Sequence, residues 1–118
     1  MITDTRLRQI GVDYLQKYAD KDLDGVGALF ADDISLRDWK IHVRGKALAL
    51  AETKKNFAAA KTIEISILDM FTHERTLAAE LKITVDGSEE LFVVDVISVN
   101  EAHKINSIRA YLGRADAP

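Results

Sequence analysis

The spacing of the apolar residues changes near residue 62, and this change constrains the fold more than any other feature of the chain. Before it, apolar side chains recur at helical spacing, as in "LRQIGVDYLQKY". After it, they alternate with polar ones in "TIEISILDMF", "TLAAELKITV", "ELFVVDVISVN" and "KINSIRAYLG". Asp86–Gly87 is a typical hairpin turn. The pattern predicts helices over most of residues 3 to 58 and strands over most of residues 62 to 113.

The helical half divides into three segments and one short strand. The first helix follows a possible cap at Thr3 or Asp4. A second, short helix is expected from about Asp22 to Phe30, and a third from about Lys46 to Ala58. A short strand ending in Asp38 lies between them. Helices followed by a four-strand meander predict an α+β fold, with a curved antiparallel sheet wrapped around the N-terminal helices.

Composition limits the possible functions. A chain of 118 residues is long enough for one domain, predicted to span residues 1 to 118. The net charge of −3, without a basic block, argues against a nucleic-acid partner. No stretch approaches the roughly 20 apolar residues that a membrane span needs. The charged N-terminus "MITDTRLRQI" lacks the apolar run of a signal peptide, so a cytoplasmic location is expected.

One motif suggests a metal but does not complete the site. "DKDLDG" resembles the opening of an EF-hand calcium loop, yet the twelfth position of that loop holds Ala31 instead of a bidentate glutamate. We interpret the segment as a charged turn that leads into a helix. The three histidines, His42, His73 and His103, are not at the spacing of a metal site. The sequence therefore predicts no metal.

Two aspartates stand at positions where apolar side chains are expected. Asp38 continues the apolar side of "ISLRD", and Asp95 lies within "LFVVDVISV", a strand with two apolar faces. A buried, unpaired carboxylate is costly and usually takes up a proton. Either Asp alone could be a structural hydrogen-bonding group or an arginine partner, with Arg109 a candidate. Together with Tyr14 on the core side of the first helix, they favour a functional cleft.

A family resemblance supports this interpretation. "YLQKYADKDLDGVGALFADDISLRDW", "RGKAL" and "VVDVISVNEAHKINSIRAYLG" resemble the ketosteroid isomerase branch of the nuclear-transport-factor-2-like, or SnoaL-like, superfamily. The resemblance extends from about Asp13 to Gly113. It implies a cone-shaped, cystatin-like fold that encloses an apolar pocket, usually in dimers. Because both sides of the strand around Asp95 are apolar, we expect a homodimer formed through the outer sheet face.

The resemblance also implies roles for particular residues. The general base of the family matches Asp38, and its oxyanion hole matches Tyr14 and Asp95. Trp39 stands where close isomerases have proline. The resemblance implies an enzyme without a cofactor that moves a proton on a small apolar ketone or steroid-like substrate by way of a dienolate. Asp95 is then expected to be protonated at neutral pH and Asp38 to be ionised.

The pocket is expected to have an apolar lining, and its chemistry has alternatives. The predicted substrate-binding residues are Tyr18, Phe30, Trp39, Phe57, Val93 and Ile97. Other SnoaL-like reactions, such as polyketide cyclisation or dehydration, could use the same base. A non-catalytic ligand-binding or dimerisation domain is the alternative of a different class, because a fold does not determine a function.

Overall fold

The structure is a computed structural model that describes residues 1–113, with three helices and one six-stranded curved sheet. The elements in chain order are α1 (Asp4–Ala19), α2 (Leu23–Leu29), β1 (Phe30–Arg37), β2 (His42–Arg44), α3 (Lys46–Ala59), β3 (Ile63–His73), β4 (Thr76–Val85), β5 (Glu89–Val99) and β6 (Ile105–Leu112). The α+β class and the positions of the three helices are confirmed. Within the described residues, no helix has both the length and the apolar character needed to cross a membrane.

Side chains cap the first two helices. The Thr3 hydroxyl accepts a hydrogen bond from the Arg6 amide at 3.1 Å. The Asp22 carboxylate accepts one from the Gly25 amide at 2.9 Å at the start of α2. The "DKDLDG" segment is therefore a turn with a helix cap, since its second aspartate is used to hold a backbone amide.

The sheet has the strand order β2-β1-β6-β5-β4-β3. Strands β3 to β6 form the predicted antiparallel meander. The turn between β4 and β5 contains Asp86 and Gly87, both with positive φ angles (53° and 75°). One pair differs from the antiparallel order, because β1 and β6 run parallel. The segment expected to be a connection, "KIHVRG", contains the short strand β2.

The helices cover one face of the sheet, and α1 approaches it closely at Gly11. Helix α1 packs against β3 and β4, and α3 packs against β1. A side chain at Gly11 would collide with Leu77 of β4. The glycine therefore lets the helix backbone contact the sheet, and Tyr14 follows one helical turn later over the inner face.

The outer face of the sheet is partly apolar. Phe71, Ala78 and Val96 are paired across β3, β4 and β5, and Val94 is paired with Tyr111 on β6. The exposed fractions are 61% for Phe71 and 55% for Tyr111. Large aromatic side chains exposed on one sheet face are typical of an interaction surface.

Candidate active site

A cavity of about 440 Å³ lies between the helices and the inner face of the sheet. Its wall contains six of the predicted site residues, which are Tyr14, Tyr18, Asp38, Trp39, Val93 and Asp95. Aliphatic side chains of the strands supply much of the remaining surface. The three residues predicted to be catalytic are far apart in sequence, and the fold brings them to one space.

Three residues predicted to line the cavity do not belong to its wall. Phe30 and Phe57 are buried and pack against the rings of the cavity tyrosines, with ring centroids 6.1 Å from Tyr14 and 4.9 Å from Tyr18. Ile97 is completely buried in the core. The prediction was wrong for these three because an apolar residue on the inner side of an element can contact core side chains instead of the pocket. Phe30 and Phe57 fix the tyrosine rings.

The strand register explains why the two aspartates share the cavity. Asp95 of β5 is paired with Ala110 of β6, and the neighbouring residue Arg109 is paired with Arg37 at the end of β1. Asp38, the next residue, therefore lies beside Ala110, two strands away from Asp95. Adjacent strands are about 4.8 Å apart, so the two carboxyl groups stand on opposite sides of a small alanine. A substrate can lie between them.

Asp38 is held by its own turn. Its Oδ1 atom accepts hydrogen bonds from the backbone amides of Lys40 at 2.7 Å and Ile41 at 2.8 Å. Its backbone amide donates to the Ile41 carbonyl at 3.0 Å. Among the described residues, none donates a hydrogen bond to Oδ2. The turn thus fixes the carboxylate at the edge of the cavity and leaves one oxygen available for proton transfer.

Asp95 is buried, and no cationic side chain among residues 1–113 is paired with it. Arg109 is paired with Val96, on the opposite face of the sheet, and its guanidinium donates to Ser107. The interpretation of Arg109 as the partner of Asp95 was wrong, because alternation places the two side chains on different faces. Burial and, to a smaller extent, the nearby charge of Asp38 together raise the pKa of Asp95 from 3.8 to about 7. A protonated carboxyl group can donate a hydrogen bond.

Tyr14 supplies a second potential donor. Only 5% of the residue is exposed. Burial raises the pKa of the hydroxyl well above its usual range, and the charges of Asp95 and Tyr18 act in the same direction. No other residue within 1–113 forms a hydrogen bond with this hydroxyl or with the Asp95 carboxyl. Both groups can therefore donate to a ligand oxygen in the cavity.

The raised pKa of Asp95 predicts a pH-dependent cost to stability. Between pH 3.8 and about 7 the native state binds this proton more tightly than the unfolded chain, so stability falls as the pH rises through that window. At about 1.4 kcal/mol per pKa unit, the cost above pH 7 is on the order of 4 kcal/mol. Asp95→Asn keeps the shape without the charge, so we expect its stability gain over wild type to grow up to pH 7 and then level off.

Urea unfolding of both proteins at several pH values between 4.5 and 8.5 measures this difference. Asp33→Asn, on the same chain but at an exposed position outside this cavity, is the control and should show no such growth. A constant difference between Asp95→Asn and wild type across this range would contradict the raised pKa.

Two features of the site were not found by sequence reasoning. The Tyr18 hydroxyl oxygen accepts a hydrogen bond from the Asn56 side chain at 3.1 Å, and both residues line the cavity. Lys40 lies in the wall close to Asp38. Asn56 is three residues after Thr53, another lining residue, and this helical spacing was the available signal. Within residues 1–113, no group of three acidic or histidine side chains is placed to hold a metal ion.

Comparison with known proteins identifies the family. The family model described as the SnoaL-like domain matches residues 12–108. The chain therefore belongs to the SnoaL-like domain family. A search of curated proteins found no match.

Solved structures share the fold at low sequence identity. The epoxide hydrolase/cyclase-like enzyme SalBIII, involved in pyran ring formation in salinomycin, is 19% identical, with a TM-score of 0.84 over 98% of this chain and 97% of that one. A candidate ketosteroid isomerase from Kribbella flavida is 16% identical, with a TM-score of 0.83 over 97% and 82% of the two chains. An LEH-like epoxide hydrolase from M. tuberculosis is 17% identical, with a TM-score of 0.80 over 92% and 84%. These similarities show the fold alone.

Proposed function

We propose that this protein is an enzyme of the ketosteroid isomerase type, which moves a proton on a small apolar ketone by way of a dienolate. Asp38 is the base, and Tyr14 with protonated Asp95 forms the oxyanion hole. The observation that carries the proposal is the meeting of these three groups in one cavity. The Tyr14 hydroxyl and the Asp95 carboxyl have no hydrogen-bonding partner among the described residues. The Asp38 carboxylate is held by the backbone amides of its own turn.

The chemistry is a balanced transfer of one proton. The Asp38 carboxylate removes a proton from the carbon between the carbonyl group and a β,γ double bond. The electrons of the broken C–H bond form a new double bond, and the carbonyl oxygen gains the negative charge. Tyr14 and Asp95 donate hydrogen bonds to that oxygen without transferring their protons. The protonated Asp38 then returns the proton to the γ carbon, which gives the conjugated ketone.

The geometry suits a shared base for both proton transfers. A carboxylate that acts at two carbons must reach both without a change in the substrate position. The Asp38 turn lies at the cavity edge, next to the pair that Ala110 of β6 forms with Asp95 of β5. The small side chain of Ala110 leaves the space in front of the base free for a flat, apolar substrate.

A spectroscopic assay tests the proposal. Conversion of a β,γ-unsaturated ketone to its conjugated isomer raises ultraviolet absorbance, so turnover can be followed directly. We expect multiple turnovers of a bicyclic or steroid-like β,γ-enone by the purified protein. Lack of turnover with a panel of such enones of different sizes, by a protein that still binds phenols, would contradict the isomerase proposal.

Epoxide opening is the second candidate, favoured by the pKa of Asp95. A carboxyl group with a pKa of about 7 can release its proton as well as donate a hydrogen bond. In this reaction Asp95 protonates the epoxide oxygen, while Asp38 takes a proton from the attacking water or hydroxyl group. The similarity to the epoxide hydrolase/cyclase-like enzyme SalBIII supports testing it. Formation of a diol or cyclic ether from an epoxide, without enone isomerisation, would favour this candidate.

We further propose a homodimer that packs through the outer sheet face around Phe71, Val94 and Tyr111. Phe71→Glu introduces a charge into this surface and should shift the protein from dimer to monomer in sedimentation velocity at micromolar concentration. Leu48→Glu is the matched control, since Leu48 is 57% exposed on a helix away from that face. A monomeric wild-type protein, or equal dissociation in both variants, would contradict the dimer.

A further inference from the structure

The hydrogen bond between Asn56 and Tyr18 leaves one donor available in the cavity. The Asn56 amide donates to the Tyr18 oxygen at 3.1 Å. A tyrosine hydroxyl has one hydrogen and also accepts through its oxygen, so this bond does not use the hydroxyl hydrogen. None of the described residues accepts that hydrogen. Because both residues belong to the cavity wall, it is available to a bound molecule.

Tyr18 is a neighbour of Tyr14 in the cavity wall. Tyr18 lies one helical turn after Tyr14, with ring centroids 6.0 Å apart. Burial raises the pKa of Tyr18, the Asn56 hydrogen bond lowers it, and the charges of Asp95 and Asp38 both raise it. The pKa of Tyr14 responds to Asp95 and Tyr18. Tyr18, Asp38 and Asp95 line the same cavity, so a molecule held between the two carboxyl groups can also contact the Tyr18 hydroxyl.

We propose that Tyr18, oriented by Asn56, is a specificity-determining hydrogen-bond donor that binds a second oxygen of the substrate. The ketone oxygen occupies the site of Tyr14 and Asp95, and the second acceptor lies at the Tyr18 hydroxyl. The favoured substrates are then apolar ketones with another carbonyl, ether or hydroxyl oxygen close to the ketone. This inference deepens the proposed function and rests on it for the position of the ketone.

Binding of two matched phenols tests the role of Tyr18 without any need for turnover. The probes are naphthols that carry, ortho to the hydroxyl, either a methoxy group or an ethyl group of similar size. Only the methoxy group offers a hydrogen-bond acceptor. We expect the wild-type protein to bind the methoxy compound about five- to tenfold more tightly, the effect of one added hydrogen bond. In Tyr18→Phe the ratio of the two affinities should fall to about one, with little change for the ethyl compound.

Two further variants separate orientation from packing. Asn56→Ala removes the group that fixes the Tyr18 hydroxyl, and should reduce the ratio while Tyr18 stays in place. Asn56 is exposed on α3, so this variant should fold even if Tyr18→Phe does not. Tyr14→Phe removes a hydrogen-bond donor to the naphthol hydroxyl, which both probes carry. It should therefore weaken the binding of both naphthols equally and leave the ratio of their affinities unchanged.

The outcomes distinguish this inference from the proposed function. No preference for the methoxy compound in wild type, or a preference that survives in Tyr18→Phe and Asn56→Ala, would overturn the role of Tyr18. Equal weakening of both naphthols in Tyr18→Phe would also overturn it, since the tyrosine would then act by packing. A Tyr18-dependent preference in a protein that isomerises no enone would support the subsite and contradict only the isomerase proposal.

Discussion

Asp38→Asn should lower the turnover of a β,γ-unsaturated ketone by about 10²- to 10⁴-fold, the range that general acid–base catalysis contributes. The amide has the shape of the carboxylate but is not a base. Its oxygen can still accept from the amides of Lys40 and Ile41, so the turn that holds residue 38 should remain intact. The loss should therefore arise in the proton transfer and not in the fold.

Ligand binding separates these two explanations. Asp38→Asn should bind a phenol, which mimics the dienolate, at least as tightly as wild type, because one negative charge has been removed from the cavity. Calorimetric titration measures that affinity, and thermal unfolding checks the fold. Asp33→Asn, an equal charge change at an exposed residue of β1, should have no effect on the rate. A rate loss accompanied by an equal loss of phenol affinity would contradict the role of Asp38 as a base.

Asp95→Ala should lower the same rate by about 10²-fold or more, which is typical for the loss of an oxyanion-hole donor. Asp95→Asn keeps a donor at the position and should be much less affected. The wild-type rate should fall above a pH near 7, because Asp95 donates only while it is protonated. Asp95→Asn has no proton to lose at this position, so its rate should lack that decline.

Rate measurements from pH 5 to 9 in the three proteins test this role. A decline above neutral pH that persists unchanged in Asp95→Asn would assign it to another group. Equal loss of phenol affinity in Asp38→Asn and Asp95→Ala, with lower melting temperatures in both, would mean that the aspartates stabilise the fold. The protein would then be a non-catalytic ligand-binding or dimerisation domain instead of an enzyme.

Local patterns in the sequence were sufficient to predict most helices and strands and the sheet face on which Asp95 lies. The change from helical to alternating spacing separates α1, α2 and α3 from the β3–β6 meander. Alternation in "LFVVDVISV" places Asp95 on the same face as the buried Val93 and Ile97, and the structure has it there. These features depend on neighbours in sequence, which is why one sequence suffices to predict them.

Features that depend on distant pairing could not be predicted in this way. The parallel pairing of β1 with β6 joins segments about 70 residues apart, and no local turn signal specifies it. The division of apolar residues between cavity wall and core depends on how α1 and α3 sit on the sheet, so Phe30, Phe57 and Ile97 were assigned to the wrong group. The spacing of Thr53 and Asn56 on α3 could indicate that both face the cavity, but the contact between Asn56 and Tyr18 joins two helices, and no spacing within either helix specifies it.

The turn that holds Asp38 has a consequence for how this scaffold can change its substrates over evolution. The carboxylate is fixed by backbone amides of Lys40 and Ile41, while the side chains of Trp39, Lys40 and Ile41 belong to the cavity wall. Side chains at these three positions can therefore be replaced without loss of the bonds that hold the base. Proline at position 40 or 41 is the exception, since it has no amide hydrogen to donate. In residues 38 to 41, the side chains of the last three shape the substrate range, and the backbone amides hold the catalytic carboxylate. Mutation can therefore alter the substrate range while the position of the base is inherited unchanged.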